Sequence, residues 1–303
     1  GEISFLNASP SEKKPSNGKS VAKYSLPSNE IPDSFLYVTI SSRVANILLS
    51  GSQINIDDYI INSDFGKKYI NTDLIKKSVH INAAIVSTII PVRNILGTIE
   101  GKNTNEIIVV GAHYDHLGKG NGYIWNGADD NASGTVAVMT LARAVVATGV
   151  KPEKTIVFAL WTAEEEGLLG SRYYTRNLTY PLKNLKLNIN FDMISRYISE
   201  DNNKGVVMTY TKTYANFRKA AENSQKKYNI DLNIDYQPSD DPPGGTDHRS
   251  FVEINVPVIR FKPGHREEYH TPFDSLETID WDIMEKIIKI NFTTLWELAN
   301  SSW

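Results

Sequence analysis

The feature that most constrains the fold of this chain is a series of uninterrupted apolar runs, each followed by a histidine or an acidic residue. IIVVGAH ends at His113, TIVFALW at 155–161 leads into the acidic string AEEEG, and LKLNINF leads into Asp192. A run without polar alternation indicates a strand that is buried on both faces, as in a parallel sheet. The sequence therefore predicts an α/β fold.

From about residue 87 onward, predicted strands alternate with predicted helices at 132–148, 166–177, 213–228 and 280–300. In the last helix, Ile283, Ile287 and Ile290 recur at the spacing of an apolar face, which indicates a helix packed on a core. We predict a three-layer α/β/α sandwich around a mixed, mostly parallel central sheet. The predicted strands lie in STIIPVRNILGTIEG, EIIVVGAH, KTIVFAL, NLKLNINF, KGVVMTYT and VPVIRF.

Five segments with histidines or acidic residues adjoin these elements, namely GAHYDH (111–116), GADDNASG (127–134), AEEEG (163–167), NFDM (190–193) and YHTPFD (269–274). Ligands of open α/β sheets bind beyond the carboxyl ends of the strands, so these loops should meet there. Imidazole nitrogen and carboxylate oxygen are ligands for Zn²⁺. One candidate ligand from each segment gives His113, Asp129, Glu165, Asp192 and His270.

This ligand set can hold two metal ions only if one carboxylate bridges them, and Asp129 is the predicted bridge. Two metals about 3.5–4 Å apart can share a hydroxide nucleophile and polarise a carbonyl, which suits amide hydrolysis. Adjacent glutamates cannot normally both reach one metal, so we assign Glu165 to the metal and Glu164 to proton transfer from water to the leaving amine. Glu166 is interpreted as a first-turn acid that interacts with a helix dipole.

Six strings resemble, in order over about residues 92–303, the zinc-dependent aminopeptidase family that includes bacterial leucyl aminopeptidase, aminopeptidase Y and the transferrin receptor-like carboxypeptidases. The strings are GAHYDHLG, NGADDNASGTVAVMTLARA, ALWTAEEEGLLGSRYY, NFDMI, GGTDHRSF and YHTPFDSLETID. The resemblance implies a peptidase that acts on peptide substrates with two Zn²⁺ per chain.

In residue terms, the resemblance implies that His113, Asp129 and Asp192 hold one zinc. The second zinc takes Asp129 as the bridge together with Glu165 and His270, and Glu164 is the general acid/base. The resemblance also implies that the Asp129–Asp130 peptide is cis.

Other polar residues receive weaker assignments. Asp115 could accept the second imidazole hydrogen of His113 and fix its tautomer, an arrangement common around zinc histidines. Asp247 and His248 are candidates for hydrogen bonding to Glu164 or to substrate. His116 is interpreted as an exposed loop residue rather than a metal ligand. His80 and His265 are left out of the predicted site, because neither follows an apolar strand beside acidic residues.

Substrate contacts are only weakly specified by the sequence. Aromatic residues that flank the motif segments could form a side-chain pocket, although an aromatic in a loop more often packs on its own scaffold. Arg196 and Arg260 remain ambiguous, because the sequence does not show which charged terminus of a substrate is recognised. The candidate pocket aromatics are Trp125, Tyr197, Tyr236 and Tyr269.

We predict two domains, an N-terminal lobe at 1–90 that is small and β-rich and a catalytic domain at 91–303. Residues 9–20, SPSEKKPSNGKS, are polar and rich in Pro, Ser and Lys, which is typical of a loop. FLYVTISSRVANILLSG then indicates a strand that feeds a short helix, and its string VTISSRVANILL is similar to the latter part of a protease-associated domain. The lobe is therefore expected to be a partial domain of that type.

Composition excludes several classes of protein. With 303 residues, 41% of them hydrophobic, the chain can bury a substantial core. A formal charge of -3 with dispersed Lys and Arg argues against nucleic-acid binding. No apolar stretch is long enough for a membrane span, and the absence of cysteine excludes disulfides and thiol catalysis. By family analogy the protein is expected to be exported, periplasmic or extracellular, with no leader in this sequence.

Two alternatives to a two-zinc aminopeptidase remain open. A glutaminyl cyclase-like acyl transferase shares the scaffold of the family but uses one zinc, and a non-catalytic binding module on the same fold would retain no metal. Such modules lose ligands, whereas all five predicted ligands and Glu164 are present here. The native metal, the oligomeric state, the residue preference and the choice among aminopeptidase, dipeptidyl and carboxypeptidase action are not determined by the sequence.

Overall fold

A computed structural model describes residues 2–9, 24–26, 40–52, 55–56, 86–120, 122–264 and 266–303. The chain divides into two compact units, one made of residues 1–27 and 87–303 and the other of residues 28–86. The larger unit resumes at Ser87, close to the predicted boundary at residue 90, but it also takes in the first 27 residues. The assignment of 1–90 as a separate lobe stays a prediction.

The central element of the larger unit is a seven-stranded mixed sheet with the spatial order β11-β10-β12-β9-β5-β8-β4. Its strands are β4 (Ile95–Ile99), β5 (Asn103–His113), β8 (Lys154–Trp161), β9 (Leu185–Asn190), β10 (Gly205–Thr211), β11 (Asn233–Ser239) and β12 (Val258–Lys262). A second sheet contains β1 (Glu2–Ser9), β2 (Tyr24–Ser25) and β3 (Val86–Arg93), and a hairpin contains β6 (Gly118–Gly120) and β7 (Tyr123–Trp125).

The strands at the middle of the large sheet run in the same direction. β5 pairs in parallel with both β8 and β9, and β12 pairs in parallel with β9. His113 lies opposite Trp161, while Gly111 and Arg260 both lie opposite Asn190. The carboxyl ends of these four strands therefore meet at one edge, where the sequence predicts the site.

Helices cover both faces of this sheet, as the α/β/α prediction requires. Alternate residues of β5 point to opposite faces, so that Ile108 and Val110 join one apolar core while Ile107 and Val109 join the other. In the larger unit the described α-helices are α2 (Gly134–Ala147), α3 (Leu169–Arg176), α4 (Ala215–Tyr228), α5 (His248–Val252) and α6 (Trp281–Asn300), and the smaller unit contains α1 (Ser42–Leu49). The four predicted helices are confirmed within three residues at each end.

Some elements differ from the sequence prediction, and some predicted features lie outside the described residues. β11 was not predicted, because its sequence NIDYQPS is polar and contains Pro238, as an edge strand allows. The predicted short helix after residue 40 is present as α1. The strand predicted before it, the loop at 9–20 except for Ser9, and His80 and His265 lie outside the described residues.

Within the described part of the chain, no helix combines the length and apolar character needed to cross a membrane. The longest helix, α6, begins at a capping residue, Asp280, whose carboxylate accepts hydrogen bonds from the backbone N–H groups of Asp282 and Ile283. Its apolar face includes Ile283, Ile287 and Ile290, which are buried as predicted.

The packing of α2 gives a test of the fold. We expect Leu141→Ala to lower the free energy of unfolding by about 2–5 kcal/mol, because Leu141 is fully buried and its truncation leaves a cavity. The matched control is Met139→Ala on the same helix, where 53% of the residue is exposed and a change of no more than about 0.5 kcal/mol is expected. Urea unfolding followed by circular dichroism measures both, and equal losses would contradict this packing.

Candidate metal centre

His113, at the end of β5, is oriented by its own loop. Its Nδ1–H donates to the backbone carbonyl of Asp115 at 3.1 Å, which turns Nε2 towards the other polar groups. The Nε2 atom lies 3.3 Å from Oδ1 of Asp130 and 3.8 Å from Oδ1 of Asp192. The side chain is only 1% exposed. One half of the site is therefore a buried imidazole that faces two carboxylates.

His270 forms the other half. Its Nε2 atom lies 3.1 Å from Oδ2 of Asp130 and 3.2 Å from Oε2 of Glu165. Asp130 therefore directs one oxygen towards His113 and the other towards His270, as a bridging carboxylate must. The structure brings together four of the five predicted ligands, His113, Glu165, Asp192 and His270, with Asp130 between the two halves.

The fifth predicted ligand, Asp129, has a different position, and the geometry corrects that prediction. The Oδ1 atom of Asp129 accepts hydrogen bonds from the backbone N–H and the hydroxyl of Ser195, at 2.8 and 2.7 Å. Burial raises the pKa of Asp129 to about 6, although the Ser195 bonds oppose the shift. Its carboxylate holds the loop after β9, while the carboxylate of Asp130 lies between His113 and His270.

The predicted cis peptide is likewise displaced by one residue, since the cis bond joins Asp130 to Asn131 instead of Asp129 to Asp130. It lies in a wide helical turn, Ala128–Ser133, that precedes α2. The Asn131 amide group donates to the carbonyl of Phe191 at 3.0 Å and accepts from Gly134 N–H at 3.0 Å. These contacts tie the turn to the end of β9.

Asp274 anchors the backbone beneath the site. Its carboxylate accepts hydrogen bonds from the backbone N–H of Asp129 at 2.9 and 3.1 Å, and from that of Asp130 at 3.0 Å. Arg196 donates to the same carboxylate at 3.0 Å, in a buried ion pair. Sequence reasoning placed Asp274 in a motif but gave it no role, and it left Arg196 ambiguous.

Glu164 and Glu165 are held by Asp115 in a way that the sequence did not predict. The Asp115 carboxylate accepts hydrogen bonds from the backbone N–H of Glu164 at 3.0 Å and of Glu165 at 3.2 Å. It lies 3.8 Å from Nδ1 of His113, whereas the Asp115 backbone carbonyl, at 3.1 Å, is the closer acceptor. The prediction named the wrong atom of Asp115, because its backbone carbonyl and not its carboxylate accepts the Nδ1–H of His113.

Glu164 has the electrostatic environment of a proton carrier. Its Oε2 atom lies 3.9 Å from Nε2 of His113. Burial raises the pKa of Glu164 well above its ordinary value, His113 opposes that shift, and the charges of Asp247 and Asp192 add to it. A carboxyl with a raised pKa can both accept and return a proton near neutral pH.

Asp247 and His248 differ in their relation to the site. Asp247 is fully buried, and its carboxylate oxygens have no hydrogen-bond partner among the described residues. Burial raises its pKa, and its charge acts on Glu164. His248 instead donates from Nε2 to the carbonyl of Pro243 at 3.1 Å. Burial and the nearby Arg260 lower the pKa of His248 to about 4. Neither residue forms the predicted hydrogen bond to Glu164 in the described structure.

His116 belongs to the cluster, contrary to its interpretation as an exposed loop residue. Its Nδ1–H donates to Oε1 of Glu165 at 2.8 Å, and its side chain is only 9% exposed. The signal that could have identified it is its position three residues after His113, in the same strand-end loop. Holding Oε1 of Glu165 in this way leaves Oε2 for the other half of the site.

These donors fit bound metal ions. In the first candidate group, His113, Asp130 and Asp192 place one ligand atom each within 4.8 Å of one another, and in the second His116, Asp130 and Glu165 do the same. Two nitrogen-and-carboxylate groups that share one aspartate suit borderline cations such as Zn²⁺. Buried carboxylates at this density also need nearby positive charge to stay ionised.

A pocket of about 210 Å³ opens beside the cluster. Tyr269 and Arg260 line it, whereas Trp125, Tyr197 and Tyr236 are not among its lining residues. Tyr197 instead lies under the guanidinium of Arg266, and Tyr236 under that of Arg218, both 4.7 Å from the ring centre. Of the four aromatic residues predicted to form the pocket, Tyr269 is the one that lines it.

A three-layer α/β/α sandwich with a shared-carboxylate cluster at its strand ends defines a scaffold for a metal-dependent hydrolase. Comparison with known protein families identifies the family. Residues 94–295 match the family model described as Peptidase family M28, and the chain belongs to that family. The chain is 35% identical to leucine aminopeptidase 2 of Trichophyton rubrum over 167 residues, which cover 54% of this chain and 32% of that protein.

Solved structures agree with the fold. A zinc aminopeptidase from Bacillus subtilis is 26% identical with a TM-score of 0.58, over 71% of this chain and 51% of that one. An aminopeptidase from Aneurinibacillus sp. strain AM-1, 24% identical with a TM-score of 0.58 over 72% of this chain and 50% of that one, shows the same fold. The chain spans about a third of the curated relative and about half of these solved chains.

The two neighbouring aspartates can be separated by experiment. We expect Asp130→Asn to lose most of the bound zinc, because the amide cannot offer two anionic oxygens to two cations. Asp129→Asn should keep its zinc, because an amide oxygen can still accept from Ser195. Plasma mass spectrometry of the dialysed proteins gives the metal content. If Asp130→Asn kept its zinc and Asp129→Asn lost it, Asp129 would be the shared ligand, as the sequence predicts.

His116 gives a second test of the centre. We expect His116→Ala to weaken the affinity of one metal by about 10- to 100-fold, since residues that orient metal ligands carry effects of that size. The control is Leu117→Ala, which changes the adjacent residue, 41% exposed. Competition with a fluorescent zinc chelator measures each affinity. Unchanged binding by His116→Ala would show that Glu165 needs no such support.

Proposed function

We propose that the chain is a zinc-dependent aminopeptidase that holds two zinc ions. The observation that supports this most directly is the placement of Asp130, whose two oxygens lie 3.3 and 3.1 Å from the imidazoles of His113 and His270. One zinc would be held by His113, Asp130 and Asp192, and the other by Asp130, Glu165 and His270. Membership of the family and the names of the relatives support the activity.

In this proposal the metals supply Lewis-acid chemistry, activating water and polarising the scissile carbonyl. Glu164 takes the proton of the attacking water and returns it to the leaving amine. Its raised pKa suits both steps, and Asp115 fixes the backbone from which it projects. The loop at 269–274 brings His270 to the site. Its Asp274 accepts hydrogen bonds from the backbone N–H groups of Asp129 and Asp130, which fixes the loop there.

Aminopeptidase action is the choice that the names of the relatives favour, with peptides as substrates. The glutaminyl cyclase-like alternative uses one zinc, and the shared position of Asp130 argues for two. A binding module would not need a glutamate with a raised pKa at the position of Glu164. Export to the periplasm or the outside of the cell stays a proposal that rests on the resemblance to the family.

Glu164 provides the test of the mechanism. We expect Glu164→Gln to lower kcat for an aminoacyl p-nitroanilide by about 10²- to 10⁴-fold, because the amide cannot carry the proton. Zinc content should stay at two per chain, since Glu164 is not among the proposed ligands. Glu166→Gln, at an exposed position in the same segment, is the control and should keep the parent rate.

Each outcome separates the proposals. Equal rates for Glu164→Gln and the parent would show that the mechanism is wrong. One zinc per chain with cyclisation of N-terminal glutamine would identify the acyl transferase. Absence of both metal and hydrolysis in the parent protein would identify the binding module. Release of residues from N-blocked peptides would replace aminopeptidase by carboxypeptidase action.

A further inference from the structure

The pocket beside the metal centre is lined by groups of both charges. Four carboxylates line it, those of Glu164, Glu165, Asp130 and Asp192, and so do the cations Arg260 and Lys262 of β12. Residues two apart on a strand share a face of the sheet, so both cations point to the same side of β12. The register of β12 with β9 pairs Arg260 with Asn190, and Lys262 and Asp192 each lie two residues further on.

Among the residues that the structure describes, neither cation has an ion-pair partner, since no carboxylate oxygen lies within 4.0 Å of Arg260 or Lys262. The Lys262 ammonium donates to Sδ of Met193 at 3.9 Å. Asp192 lines the same pocket, but it is a proposed zinc ligand, so its charge is already used.

The burial of Arg260 makes this lack of a partner informative. The residue is only 9% exposed, and a buried guanidinium without an anion is costly. Arg196, at 4% exposure, shows the usual solution, because Asp274 lies 3.0 Å from it. Among the described residues Arg260 has no comparable partner, so its guanidinium is available to an added anion at the pocket.

The backbone opposite Arg260 is shaped to admit the guanidinium. A Cβ atom on Gly244 would come within 2.5 Å of Nη1 of Arg260, and Gly244 has a φ of +123°, which L side chains rarely adopt. Gly244 and Gly245 both line the pocket. Gly244 therefore leaves the space that the guanidinium occupies beside the pocket.

We propose that Arg260 and Lys262 bind a carboxylate of the substrate, so that the pocket selects peptides that present an acidic group there. This inference rests on the proposed peptidase function and names its substrate class. A guanidinium and an ammonium that line one pocket match a carboxylate by charge and by hydrogen-bond geometry. The carboxylate is either the side chain of an N-terminal Glu or Asp, or the α-carboxylate of a short peptide.

The experiment compares kcat/KM for matched substrates. Glu- and Gln-p-nitroanilide differ only in the charge of the side chain, and Leu-Ala and Leu-Ala-amide differ only in the α-carboxylate. We expect the charged member of one pair to be preferred by about 10- to 100-fold, as for a hydrogen bond to a charged group. The pair that shows the preference identifies which carboxylate is bound.

The variants are Arg260→Met and Lys262→Met, which keep much of the side-chain length and remove the charge. Each should reduce the ratio of kcat/KM for the charged member to kcat/KM for the neutral member at least about 5-fold, and this ratio is compared within each variant, so that a general loss of activity does not affect it. The control is Lys212→Met, whose side chain is 62% exposed and paired with Asp240. Thermal melts confirm that each variant is folded.

A binding measurement makes the result independent of turnover. Dissociation constants of Glu-Ala-amide, Gln-Ala-amide, Leu-Ala and Leu-Ala-amide are measured by calorimetry on zinc-loaded Glu164→Gln protein. Equal values within both pairs, or equal kcat/KM values with active protein, would overturn the inference and leave the peptidase proposal intact. Hydrolysis of no substrate by the parent would reject the peptidase proposal, and the binding constants would then decide the carboxylate site alone.

Discussion

The arrangement of the metal centre depends on one buried carboxylate, that of Asp274. It accepts the backbone N–H groups of both Asp129 and Asp130 and pairs with Arg196, so it joins the turn before α2 to the loop after β9. Asp274 also lies four residues after His270, on the same loop. A single contact set therefore fixes the bridging aspartate, one imidazole and the loop of Asp192 relative to one another. Hydrogen bonds to charged acceptors are among the stronger polar contacts in proteins, and here they align groups from three distant parts of the sequence.

The carboxylates at the site fall into two groups according to the donors that they face. Asp129 and Asp115 lie close to the proposed ligands but are engaged by backbone N–H groups, Asp129 by Ser195 and Asp115 by Glu164 and Glu165. Burial raises the pKa of each, yet the hydrogen bonds oppose the shift. Asp130, Asp192 and Glu165 instead face imidazole nitrogens. Carboxylates of identical chemistry thus separate into scaffold and ligand by what donates to them, which also explains why adjacent aspartates have different roles.

Sequence reasoning predicted the sheet, the four long helices and the meeting of the motif loops, because buried parallel strands carry a strong apolar signal and their carboxyl ends share one edge. It also placed His113 and His270 correctly at one cluster. It assigned the bridge to Asp129 because the direction of two consecutive side chains depends on the backbone of the turn, where Asp130 and Asn131 have non-helical φ and ψ values. His116 and the role of Asp274 were missed because both depend on tertiary contacts. β11 was missed because an edge strand carries little apolar pattern.

The two halves of the centre differ in how firmly their ligands are held, and this difference explains the contact between His116 and Glu165. His113 is 1% exposed and is oriented by its own loop carbonyl, whereas the side chain of His270 is 36% exposed and stacks on Tyr269, with 3.8 Å between ring centres. A ligand at an exposed loop is less well fixed than one at the end of a central strand. The more exposed half therefore needs its other ligand, Glu165, to be constrained from elsewhere. His116 holds one oxygen of Glu165, and Asp115 holds its backbone N–H, so the rigid strand end of β5 supplies order to both halves.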